Sequence, residues 1–129
     1  MTDLKQYQII HKALVGINAD IQNGQFDAYG LCNTFRYKIK NLTGNYVGSK
    51  LIHKLDTLMQ SWPEYSGDPS YIIGQSGFDA AMMYGFAPPY WQGSYSEWMW
   101  SEKSPYGRKR RELLVWLINR CEEITGQVL

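Results

Sequence analysis

The sequence predicts a single, mainly α domain of three principal helices, with a possible short β element and a long aromatic-rich loop region. Three observations carry this expectation. Apolar residues recur at helical spacing in three separate stretches. Eleven of the 19 aromatic residues crowd between Trp62 and Trp100, together with four of the five prolines. The 129 residues are 44% hydrophobic and 19% charged and contain no Gly/Ser-rich linker, which suits one folded domain over 1–129.

The first helix runs from Asp3 to about Ile21, where Tyr7, Ile10, Ala13, Leu14, Ile17 and Ile21 share one face. Thr2 or Asp3 caps its start and Asn23-Gly24 stops it. Gly16 weakens its interior. Residues 28 to 44 read two ways. Phe35, Tyr37 and Ile39 alternate with Arg36, Lys38 and Lys40, as in a short strand with a basic face. Leu31, Phe35 and Ile39 are also four apart, as on a helix. The alternation favours the strand, with its lysines guarding a sheet edge or, alternatively, facing an anion. A second helix, about Tyr46 to Trp62, presents Leu51, Ile52, Leu55, Leu58, Met59 and Trp62 as a stripe and ends at Pro63.

The stretch from Trp62 to Trp100 reads as ordered loops held by aromatic packing, with a short helix from Ser76 to Met83 stopped before Pro88-Pro89. The last helix starts at Ser104 as N-cap with Pro105 at the first helical position. It runs to about Ile124, with Gly126 as its stop.

Charge and motif content narrow the function. Thirteen Lys and Arg against 12 Asp and Glu leave a net charge of +1, which excludes a bulk electrostatic DNA binder. No run of about 20 apolar residues offers a membrane span. The start, MTDLKQYQII, lacks the basic and apolar order of a signal peptide, so a cytoplasmic place is expected, with Cys32 and Cys121 reduced and the sequon at Asn41 without meaning. His11 and His53 lie off the apolar stripes and are expected at the surface, as are Glu122 and Glu123. No zinc-like spacing or nucleophile elbow occurs. The segment from Gly44 to Lys50 departs from the phosphate-binding P-loop in spacing and in lacking the Ser/Thr after lysine. The expectation is a protein that is not an enzyme, with no catalytic residue, metal or cofactor.

Arg110 is the residue that stands out. At about 100° per residue, Tyr106, Leu113, Leu114, Leu117, Cys121 and Ile124 form the buried stripe of the last helix, and Arg110 falls about 20° from Leu117. A buried guanidinium requires a partner. Glu64, Asp68 or Glu112 can supply an internal one, or the stem can snorkel past the helix end. Alternatively Arg110 lines a pocket for a phosphate or carboxylate. The segment Trp62-Pro63-Glu64-Tyr65-Ser66-Gly67-Asp68-Pro69-Ser70-Tyr71 is either a compact connection anchored by its rings or a loop that grips a flat ligand.

Two blocks, WPEYSGDPSY (62–71) and YGRKRREL (106–113), with Gly30-Leu31-Cys32-Asn33 as a third anchor, resemble a pattern in small accessory proteins of tailed bacteriophages. The likeness covers roughly residues 28 to 124. The stretch between the blocks is longer and more aromatic here, and Ile72-Ile73 follow Tyr71 where a proline is usual. The resemblance implies a protein made in the cytoplasm of an infected bacterium, without a structural role in the particle.

Three functions fit these residues. The first is a small-molecule binder, expected as a homo-oligomer, that sequesters a nucleotide-derived signal of host immunity such as a cyclic nucleotide or an ADP-ribose derivative. Rings stack on the base, arginine meets phosphate, and carboxylate or hydroxyl tips read the ribose. The candidate binding set is Arg110, Tyr106, Tyr65, Asp68, Tyr71, Trp62, Arg111 and Arg36. The second is a protein-binding inhibitor or adaptor, with Tyr90, Trp91, Tyr95, Trp98 and Trp100 as exposed anchors. The third, single-stranded nucleic-acid binding through 36–40 and 108–111, has the neutral net charge against it.

Overall fold

Helix α1, Asp3–Gln22, begins where Thr2 leaves the extended conformation and its Oγ1 accepts from the Lys5 N–H at 3.2 Å. Asp3 adds a carboxylate to the first turn, where the helix dipole favours it. Asn23 closes the helix through its N–H, and Gly24 follows at φ 77°, a left-handed conformation that glycine adopts without a Cβ clash. The computed structural model of the chain describes residues 2–25, 31–43, 48–63, 90, 92, 97–98, 100–103 and 105–126.

Three more helices follow among the described residues: α2 (Leu31–Thr43), α3 (Gly48–Gln60) and α4 (Pro105–Thr125). The protein is mainly helical, and no strand occurs among the described residues. The possible β element at 28–44 is therefore corrected: its described residues form α2. A strand would place Phe35, Tyr37 and Ile39 on one face. Instead Phe35 and Ile39 are buried while Tyr37 is 43% exposed. The four-residue spacing of the apolar pair, rather than the alternation, matches the surface that α1 offers it. Helix α3 ends in a tightened turn, with the Ser61 and Trp62 N–H groups donating to the Leu58 and Met59 carbonyls, just before Pro63. Helix α4 ends at Gly126, whose φ is 70° and whose N–H donates to the Glu122 carbonyl at 2.8 Å. The expected N-cap Ser104, the short helix at 76–83 and nearly all of the aromatic loop region lie outside the described residues.

Helix α1 is the centre of the arrangement. It packs against α2, α3 and α4, most extensively against α4. Its stripe of Ile10, Ala13, Leu14, Ile17 and Ile21 is fully buried. Leu113, Leu114, Leu117, Ile118 and Cys121 of α4 meet it in one core with Leu51, Leu55, Leu58 and Met59 of α3. Each large apolar side chain so buried contributes about 1.5–3 kcal/mol. Ion pairs cross between helices at the rim: Lys38 of α2 to Asp20 of α1, and Lys54 of α3 to Asp3 at 3.0 Å. The Lys54 ammonium also sits 4.6 Å from the centre of the Tyr7 ring.

Two surface expectations are corrected here. His11 is 3% exposed, and its Nε2 lies 3.1 Å from Glu122 Oε1, so Glu122 turns toward α1 rather than outward. His11 sits only about 60° round α1 from Leu14, and the breadth of the α1–α4 contact covers this flank as well as the stripe. His53 is exposed, as expected. Removing the Glu122 carboxylate leaves a buried imidazole nitrogen without its hydrogen-bond partner. Glu122→Ala is therefore expected to lower stability by about 1–3 kcal/mol in urea unfolding. Glu122→Gln, which keeps an oxygen at that place, is expected to lose less than half as much.

Candidate functional site

Helix α4 carries two chemically opposite faces. Taking Arg108 as the reference, Leu113, Leu114, Leu117 and Cys121 lie on the far side at about 100° per residue, and Arg110 lies among them at about 160°. Glu112, Val115 and Asn119 fall close to Arg108 on the near side, with Arg111 and Trp116 flanking them. This outer face lines a groove of about 690 Å³, whose walls are Arg108, Arg111, Glu112, Val115, Trp116 and Asn119 from α4 and Glu102 from the preceding turn.

The groove is partly rigid. Arg111 Nε donates to the carbonyl of Trp100, and its Nη1 stands 3.7 Å from Glu102 Oε1. The first contact fixes the plane of the guanidinium, and the second is a loose pair to an exposed carboxylate. Trp116 is half-buried and packs against the core from its inner edge. Arg108 and Glu112 are exposed. Two guanidiniums and two carboxylates leave the groove balanced in charge, so its chemistry suits a ligand with several kinds of group better than a bare anion.

The residues expected to form a site are dispersed. Arg110 does lie on the core face of α4, 2% exposed, and it makes an interaction within the protein, although its Nε makes no hydrogen bond. It lines neither the α4 groove nor the two smaller clefts bordered by described residues. Glu112, a potential internal partner for it, is exposed in the groove instead. Trp62 is buried in the apolar core. Arg36 and Tyr106 are positions on α2 and α4. Tyr65, Asp68, Tyr71, Trp91 and Tyr95 lie outside the described residues. Of the expected binding set, Arg111 lines the α4 groove.

The aromatic anchors also divide. Tyr90 is 73% exposed and Trp98 half-buried. Trp100 is 1% exposed, which corrects its place as a surface anchor: the ring is spent on the core and its carbonyl on Arg111. Of the groove residues, only Arg111 was in the expected small-molecule binding set; sequence reasoning missed Glu102, Arg108, Glu112, Val115, Trp116 and Asn119 for that role. The signal was present in the spacing of 108, 111/112, 115/116 and 119, which marks one continuous helix face.

Among the described residues, no three His, Cys, Asp or Glu gather as a metal site, and no helix is long and apolar enough to cross a membrane. Comparison with family models, with curated proteins and with solved structures finds no match.

Cys121 is a free thiol held in the core. Burial pushes it from 9.0 up to about 11; the neighbouring Glu122 adds to the rise and Arg120 opposes it. At neutral pH it is a protonated, poor nucleophile. The folded state holds this proton more tightly than the unfolded chain, so the associated stability is present below about pH 9 and is lost as pH rises toward 11. Wild-type protein is therefore expected to lose stability more steeply between pH 9 and 11 than Cys121→Ala, as read from urea midpoints at matched pH.

Proposed function

We propose that the protein is a non-enzymatic binder that sequesters a small nucleotide-derived molecule, and that it does so in the groove on the outer face of α4. The observation that carries this reading is the grouping of Arg108 and Arg111 with Trp116, Glu112 and Asn119 around one open volume of about 690 Å³. That volume falls within the roughly 300–1,000 Å³ of ordinary ligand sites. The guanidiniums take phosphate oxygens. The exposed side of the Trp116 ring stacks on a base, Glu112 accepts from ribose hydroxyls, and the Asn119 amide meets a base edge. The mixed charge of the groove supports this division of labour and disfavours an inorganic anion. On the phage resemblance, the ligand is a host immune signal such as a cyclic nucleotide or an ADP-ribose derivative, captured in the cytoplasm of the infected cell by a homo-oligomer.

The second reading, a protein-binding inhibitor or adaptor, draws support from Tyr90, whose large exposed ring suits an interface anchor. It predicts that Tyr90→Ala abolishes partner capture while changes in the α4 groove do not.

The test is calorimetric titration and thermal shift with ADP-ribose and cyclic dinucleotides. Arg108→Ala, which removes an exposed charge without opening the core, is expected to weaken binding about 10–100-fold, as for a charge-assisted hydrogen bond. Lys12→Ala, an equal charge change on the exposed side of α1, is expected to leave affinity within twofold. A wild-type protein that binds none of these ligands, or an Arg108→Ala protein that binds as well as wild type, refutes the assignment.

A further inference from the structure

We propose that a second copy of this chain docks along one flank of α4, antiparallel to it, with Trp116 on the two-fold axis between the copies. Helical geometry sets the docking strip. At about 100° per residue, Lys109, Glu112, Arg120 and Glu123 all fall within about 40° of Trp116 around the helix. Glu112, Arg120 and Glu123 are exposed, and Lys109 and Trp116 are half-buried. The strip is thus a line of charged side chains with one large ring at its middle.

The order of the charges names the occupant. Four residues before Trp116 stands Glu112, and four after it stands Arg120. Seven before it stands Lys109, and seven after it Glu123. Every charge on the strip therefore has its opposite at the mirror position. In a two-fold contact between antiparallel helices, each residue meets the mirror position of the other copy. Glu112 then faces Arg120 of the second copy and Lys109 faces its Glu123. Both pairs occur twice, and the two tryptophans meet on the axis. A parallel arrangement would instead set Glu112 against Glu112 and Arg120 against Arg120. A slip of one helical turn in either direction breaks all four pairs. Complementarity of this kind fixes both direction and register. The four charges also sum to zero, so a nucleic-acid backbone gains nothing from the same strip.

The side chains on the strip are able to make these contacts. Arg120 Nη1 stands 3.0 Å from Glu123 Oε2 on its own helix, and both side chains are largely exposed. Such a surface pair is weak. A guanidinium carries five donors, so Arg120 retains hydrogen bonds for Glu112 of the second copy. Glu112 and Trp116 also line the α4 groove. The second copy therefore closes that side of the groove and brings its Arg120 to the groove wall. This gives the homo-oligomer of the binding reading a surface, but it requires no ligand. A contact of one helix against another is smaller than the roughly 800 Å² per partner of a standard interface. Association is accordingly dependent on concentration and weakened by salt.

The experiment is sedimentation equilibrium of the ligand-free full-length protein over a concentration series at low salt. Wild-type protein is expected to show a monomer–dimer equilibrium. Glu112→Arg sets the introduced arginine against Arg120 of the other copy, and Arg120→Glu sets two carboxylates together. Each change acts twice across the axis and is expected to weaken the dimer about 10–100-fold. Mixing the two variants in equal amounts restores opposite charges at both contacts, so the mixture is expected to dimerise more tightly than either variant alone. Lys109→Glu with Glu123→Lys forms a second couple, read in the same way should a variant of the first fail to fold. A wild-type protein that stays monomeric throughout overturns the proposal. So do variants that dimerise like wild type, or a mixture no tighter than its components. Because no ligand is present, such a failure leaves the assignment of a ligand to the α4 groove to its own titration.

Discussion

The contact between α1 and α4 governs where everything else can lie. Five apolar positions of α1 and five of α4 close on one another, and each buried leucine or isoleucine among them contributes about 1.5–3 kcal/mol. The ion pairs at the rim contribute at most about 1 kcal/mol each. Apolar packing therefore sets the rotation of both helices about their axes, and the charged side chains take the directions left to them. With its far side committed to the core, α4 must turn Arg108, Glu112 and Asn119 toward solvent. With its stripe committed likewise, α1 turns Asp20 toward α2. The burial of His11 follows from the same contact: a histidine at the edge of a wide interface needs a partner there, and Glu122 supplies it.

Trp100 gives its ring to the core, and its carbonyl orients the Arg111 guanidinium at the edge of the α4 groove. A large aromatic residue that loses its exposed surface in this way ceases to be a recognition element and becomes a support for others. Arg110 illustrates a related point. Its place on the greasy side of α4 is a structural commitment, whereas Arg108 and Arg111, which look unremarkable in a basic run, border the α4 groove.

Much of the architecture was legible in the amino-acid order alone. The stripes of the helices that became α1, α3 and α4, the stop at Gly24, the Pro63 boundary, the first-turn position of Pro105 and the burial of Arg110 are consequences of local periodicity and backbone stereochemistry. Periodicity acts within one element, so it needs no knowledge of neighbours. It fails where two periods are superimposed, as at 35–39, because alternation and four-residue spacing then predict different faces for Tyr37.

Tertiary structure decided the rest. Only the approach of α1 resolves the α2 segment into a helix, for Phe35 and Ile39 need a common apolar partner that Tyr37 does not. Only three-dimensional packing buries Trp100 while leaving Tyr90 in water, since an aromatic ring is equally suited to either place. The core depends on residues from 10 to 21, 35 and 39, 51 to 62, 100 and 113 to 121, which no window of sequence contains together. What the sequence by itself determined is which face of each regular helix is apolar. Which surfaces meet, and which side chains are left facing open space, depends on long-range contacts whose energy exists only once the helices have come together.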